Sequence, residues 1–112
     1  MHKTQAVIGA QDLEQLSGLF RLLSDKTRLG ILLCLTDGER NVSSLCEQLG
    51  LPQPTVSHHL GLLRLNNIVG NRRHGKQVFY VLNRGGESFD GMLMQFSVQN
   101  LLLQVRAKEQ GQ

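Results

Sequence analysis

Pro54-Thr55-Val56-Ser57-His58-His59-Leu60-Gly61-Leu62-Leu63-Arg64-Leu65-Asn66-Asn67 is the stretch that decides how this chain folds. Val56, Leu60 and Leu63 stand at i, i+4 and i+7, one apolar stripe of a helix, which leaves Ser57, His58 and Gly61 on the opposite face. Pro54 suits the first turn of that helix, and the preceding Leu51-Pro52-Gln53-Pro54 reads as a tight connection, because each proline fixes its own φ and pushes its predecessor out of the helical region. Around this helix, from Gln48 to Gly86, the chain contains no Asp or Glu, yet it holds Arg64, Arg72, Arg73, Lys76, Arg84 and three histidines. With no acid near them in sequence, these cations are expected to direct their field at a polyanion.

Upstream, Asn41 suits the N-cap of a two-turn helix carrying Val42, Leu45 and Leu49, which Gly50 ends in the left-handed region. Before it, Ser24 is expected to cap a core helix with Leu29, Ile31, Leu32, Leu33 and Leu35, stopping at Asp37-Gly38. Asp12 followed by Gln15 resembles a capping box opening a first helix with Leu13, Leu16, Leu19, Phe20 and Leu23. Downstream, runs 68–73 and 77–82 read as strands around a turn in which Gly75 supplies positive φ. A last helix of about 20 residues is expected to carry Phe89, Met92, Leu93, Phe96, Val98, Leu101, Leu102 and Val105. The expected fold is therefore mainly α with a small β-hairpin, in the order ααααββα. One domain would span 11–108, with a flexible segment 1–10 and a frayed tail 109–112.

At 112 residues and a net charge of +3, one domain is expected, and a chain this short leaves apolar surface poorly covered unless a partner chain buries it. Nothing approaches the roughly 20 apolar residues of a membrane span, and Met1-His2-Lys3-Thr4-Gln5 lacks the order of a signal peptide, so a cytoplasmic protein is expected. In that compartment Cys34 and Cys46 are expected as reduced thiols. The sequence holds no glycine-rich phosphate loop, nucleophile elbow or carboxylate cluster; Ser57, His58 and His59 are adjacent on a helix and point in different directions, so no enzyme and no cofactor are expected.

A two-turn helix, a short turn and a longer helix with a polar outer face make a helix-turn-helix, whose second member can enter a major groove. Gln53 can pair bidentately with adenine, Thr55 offers a hydroxyl and a methyl, and Ser57 and His58 follow on the same side, which makes these four the base-reading candidates. Gly61 lets the helix backbone approach the duplex. Arg72, Arg73 and Lys76 can meet phosphates, supplying affinity rather than sequence choice. Arg64 is either a phosphate contact or a surface charge. His59, at the edge of the buried stripe, fits packing or phosphate bonding as well as base contact.

The combination of Arg21-Leu-Leu-Ser-Asp-Lys-Thr-Arg-Leu-Gly-Ile-Leu32, Ser57-His58-His59-Leu60, Leu62-Leu63-Arg64 and Gly75-Lys76-Gln77-Val78-Phe79-Tyr80 resembles the ArsR/SmtB family of small winged-helix repressors, over about residues 12–84. The resemblance implies a winged helix-turn-helix and a homodimer through the first and last helices. It further implies double-stranded DNA as partner, an inverted-repeat operator repressed until a signal loosens the dimer. Leu13, Leu16, Phe20, Leu23, Phe89, Met92, Leu93, Phe96 and Leu103 are the interface candidates, with ordinary core packing as the alternative for each.

The chain departs from that family at its metal sites. Arsenic- and cadmium-responsive members carry Glu-Leu-Cys-Val-Cys-Asp-Leu, where this sequence has Glu39-Arg40-Asn41-Val42-Ser43-Ser44-Leu45. Zinc-responsive members place Asp, two His and Glu on the last helix, whereas the final histidine here is His74, so no metal is expected at either site. Cys34 and Cys46 remain as a thiol or redox sensor, against the simpler reading of buried free cysteine as a small hydrophobe. A winged-helix module for protein or RNA is the alternative of another class.

Overall fold

A computed structural model describes residues 8–83 and 92–108. Helix α1 spans Ala10–Leu23, α2 Lys26–Cys34, α3 Val42–Leu49 and α4 Gln53–Leu65; strand β1 spans Arg40–Asn41, β2 Val69–His74, β3 Gln77–Leu82, β4 Met92–Val98 and β5 Leu101–Arg106. β1, β3 and β2 form an antiparallel sheet in that order, and β4 and β5 form a separate hairpin.

Local chemistry sets the boundaries. The Asn41 side chain accepts from the Ser44 backbone N–H at 2.8 Å, capping α3, and Gly50 ends it at φ 67°. Gly75 turns the β2–β3 hairpin at φ 64°. Asp25, not Ser24, caps α2, accepting from the Arg28 N–H at 2.9 Å. α1 begins at Ala10, inside the segment expected to be flexible, because Asp12 sits in the first turn and accepts from the Gly9 N–H at 2.9 Å instead of being the cap itself. Expectations for 1–7 and 109–112 lie outside the described residues.

The core centres on α2. Ile31, Leu32, Leu35, Leu45, Val56, Leu60, Leu63 and Val69 are fully buried, with Leu19 and Leu23 from α1 joining them. Transferring these side chains out of water stabilises the fold by about 1.5–3 kcal/mol each. α3, the Gly50 turn and α4 thus form a helix-turn-helix braced by α2, and β2–β3 form its wing. No helix among the described residues is long and apolar enough to cross a membrane.

The C-terminal region corrects the sequence expectation: it holds two strands where a last helix was expected, so no last helix over 92–106 is available for a dimer interface. The apolar residues satisfy a period of two as well as 3.6. Met94, Phe96 and Val98 point inward, as do Leu101, Leu103 and Val105 in part, while Ser97, Leu102, Gln104 and Arg106 face out. Gln99-Asn100 closes the hairpin, with Gln99 at φ 54°. The Asp12 carboxylate also accepts from the Asn100 N–H at 3.3 Å, tying this hairpin to the start of α1.

Candidate nucleic-acid interface

α4 is about 20 Å long. Burial of Val56, Leu60 and Leu63 fixes its rotation, so Gln53, Ser57, His58, Gly61 and Arg64 are exposed together and Thr55 is half-buried at their margin. Among the described residues, a Cβ built on Gly61 meets nothing within 4 Å.

His59 is drawn the other way. Its Nδ1 lies 3.1 Å from Arg28 Nη1 and 3.9 Å from Asp25 Oδ2, and its side chain is 16% exposed. A guanidinium only donates, which casts Nδ1 as the acceptor. Arg28 Nε meanwhile donates to the Leu22 carbonyl at 2.7 Å. One guanidinium therefore joins the end of α1, the start of α2 and the middle of α4, and His59 is a joint of the scaffold. His58 remains exposed, its ring edge-on to His59 at 5.2 Å.

Strand alternation gives the wing two faces. Asn71, Arg73, Val78 and Tyr80 share the face that continues from buried Val69 and Leu82 toward α4; Arg72, His74, Gln77 and Phe79 share the other. Arg73 and Lys76 are exposed. Arg72 is not the unopposed cation that the acid-free sequence suggested. Glu39, folded in from just before β1, accepts a hydrogen bond from it, and His74 Nε2 lies 3.4 Å from the same carboxylate. Arg72's hydrogen bond holds the Glu39 carboxyl below its ordinary range, against partial desolvation. A gap in acids along the sequence does not exclude acids in space, and sequence reading missed Glu39 for that reason.

Between α4 and the wing runs a groove of about 520 Å3 lined by Ser57, Gly61, Arg64, Leu65, Asn67, Val69, Gly70, Asn71, Tyr80 and Asn83. Among the described residues its one charged lining residue is Arg64. A larger cleft of about 880 Å3, between α1 and β4, shares only Asn67 and Asn83 with it.

The interface candidates divide. Leu13 is 68% and Phe20 51% exposed on α1, and Leu16 is half-buried; Leu23 and Phe96 are buried in the chain's own core, with Leu103 packed against it. Phe89 and the side chains of Met92 and Leu93 lie outside the described residues. Cys34 and Cys46 are free thiols, both half-buried, and burial pushes the Cys34 thiol up.

A family model described as "Bacterial regulatory protein, arsR family" matches residues 25–70, from the cap of α2 into β2. The chain is 47% identical over 64 residues to the HTH-type transcriptional regulator KmtR of Mycobacterium tuberculosis, covering 57% of this chain and 49% of that protein. It spans about half to three fifths of the length of the first curated relatives it matches. Among solved structures, HlyU from Vibrio cholerae superposes with a TM-score of 0.63 at 32% identity, over 66% of this chain and 80% of HlyU. The homodimeric winged helix-turn-helix DNA-binding domain of Mb0332 from Mycobacterium bovis superposes with a TM-score of 0.59 at 28% identity, over 70% of this chain and 75% of that domain. The family match covers α2 and the whole helix-turn-helix up to the first residues of the wing, and the chain belongs to the ArsR family of bacterial transcriptional regulators.

Proposed function

We propose that this protein is a cytoplasmic, sequence-specific DNA-binding repressor that acts as a homodimer on an inverted-repeat operator. The observation that carries this reading is the groove between α4 and the wing, where exposed Ser57 and Arg64 face Asn71 and Tyr80 with no acid among the described lining residues, while Gln53, His58, Arg73 and Lys76 are exposed on the same two elements. Gln53, Ser57 and His58, with Thr55 at the margin, would read base edges; Arg64, Arg73 and Lys76 would meet phosphates. Arg72 and His59 play lesser parts, since both are engaged within the chain. Several curated relatives are named as repressors, which supports repression as the outcome.

The dimer would form through the outer face of α1, where Leu13 and Phe20 leave large apolar side chains in water, with Leu16 at the rim. The homodimeric state of Mb0332 supports dimerisation, without specifying the face. No metal would be sensed at the family's cysteine box: Asn41 stands at the first cysteine position and its oxygen is used as the α3 cap. A thiol-responsive repressor built on Cys34 or Cys46 has less support, because burial disfavours the Cys34 thiolate.

Selection of bound duplexes from a random pool tests the reading, repeated with zinc, cadmium, arsenite, peroxide and polysulfide. Enrichment of a two-fold symmetric sequence, unaffected by the metals, is the expected result. Recovery of unenriched sequence would remove the repressor assignment.

A further inference from the structure

The groove between α4 and the wing brings together side chains with hydrogen-bonding capacity that the described protein does not use. Ser57 and Arg64 stand on one wall, Asn71 and Tyr80 on the other. Among the described residues none of these four side chains has a hydrogen-bond or ion-pair partner. This contrasts with the neighbouring face of the wing, where Arg72 and His74 are taken up by Glu39. Gly61 lies between the walls with no Cβ, and the space above it is empty to 4 Å. Arg64 supplies the only formal charge among the described lining residues, so the groove suits an anion with several acceptor oxygens.

We infer that one strand of the DNA sugar–phosphate backbone lies in this groove, with a phosphate held by the Tyr80 hydroxyl and the Asn71 amide from the wing and by the Arg64 guanidinium from α4. The inference rests on the proposal that α4 reads duplex DNA, and it adds Asn71 and Tyr80 to the contacting residues. A phosphodiester offers two free oxygens to donors approaching from two sides, which is how the two walls present theirs. Such a contact fixes the register of α4 in the major groove without choosing sequence. The wing would then face DNA with its Asn71, Arg73 and Tyr80 side, and Arg72 would stay behind.

The test titrates selected and random duplexes with the full chain at several salt concentrations, for wild type, Tyr80→Phe, Asn71→Ala and Arg64→Gln, each checked for an unchanged melting transition. Tyr80→Phe and Asn71→Ala should each weaken both duplexes about 3- to 10-fold, the loss of one hydrogen bond, with the salt slope unchanged. Arg64→Gln should reduce that slope by about 0.9, one phosphate's worth of released counterion. A neutral methylphosphonate at the seated position should weaken wild type more than it weakens Arg64→Gln, which no longer has the charge that faces it. Wild-type affinity and slope in all three variants would overturn the groove contact while leaving DNA binding intact. If wild type itself bound neither duplex, the DNA reading would fail first and the groove contact with it.

Discussion

The Glu39 carboxylate lies against the Arg72 guanidinium, reaching from the edge of β1 across β3 to the far strand of the wing. An acid from outside the cationic stretch thus occupies one of its cations, as a phosphate would. Glu39→Gln should remove a negative charge beside the wing without bringing Arg72 onto its DNA-facing side, so binding should tighten modestly at low salt while the salt slope shifts by less than the roughly 0.9 of a full phosphate contact. In wild type, Arg72→Gln should change that slope little. Fluorescence anisotropy against salt for both single variants and their combination separates the cases: if the double variant binds as tightly as Glu39→Gln, the gain comes from removing the acid and not from Arg72.

Gly61→Ala should move stability and binding in opposite directions. The added methyl meets nothing within 4 Å and improves helix propensity, so α4 and the fold should gain up to about 1 kcal/mol. The same methyl stands where the duplex would approach, and affinity should fall. Denaturant melts and duplex titrations on one preparation check both signs; unchanged affinity would place the duplex elsewhere.

Phe20→Glu should give a folded monomer. Phe20 is half exposed on the outer face of α1, so the charge costs little within one chain but would be buried between two. Sedimentation velocity reads the outcome, with Leu23→Ala as contrast: Leu23 is buried in the core, and its truncation should cost about 2–5 kcal/mol of stability without selectively dissociating the dimer. A dimer that survived Phe20→Glu would relocate the interface.

Stability should be lost on acidification below the ordinary carboxylate range. The Asp12 carboxyl is lowered by the Gly9 and then the Asn100 backbone N–H, Asp25 by that of Arg28, and Glu39 by Arg72. A group lowered in the folded state contributes fully above its unfolded pKa, so melting temperature should stay flat from about pH 8 to about pH 5 and fall below about pH 4. Asp12→Asn should show a shallower fall over the acid limb, measured by thermal melts.

Arg28→Ala should loosen the scaffold beneath α4. It removes donors to the Leu22 carbonyl and to His59, at a cost of about 1–3 kcal/mol in chemical denaturation. Because His59 is engaged with Arg28 beneath α4, any loss of DNA affinity should be equal on selected and random duplexes.

The helix-turn-helix and wing were legible because their signals are local and unambiguous: the Val56, Leu60, Leu63 stripe, the Asn41 cap, Gly50 and Gly75 each have one reading. The C-terminal hairpin was not, because Met92 to Val105 fits both periods, and the tie that seats it, from Asp12 to Asn100, joins distant parts of the chain. The same limit hid the partners of Arg72 and His59. Glu39 and Arg28 reach them through folding, and neither neighbours its partner in sequence. The observed caps differ from the expected ones, Gly9 in place of Asp12 and Asp25 in place of Ser24, because an acidic side chain can accept the same kind of backbone N–H from more than one place in the first turn.

Joint action of two copies of the α4-and-wing surface on symmetric DNA underlies every binding prediction above. Its most direct test is stoichiometric titration of the selected duplex against versions with the half-site spacing altered by half a helical turn. Two chains per duplex, half-sites about 34–36 Å apart, a preference of about 10³-fold or more over random sequence and loss of that preference on respacing are predicted. One chain per duplex, or indifference to spacing, would contradict it.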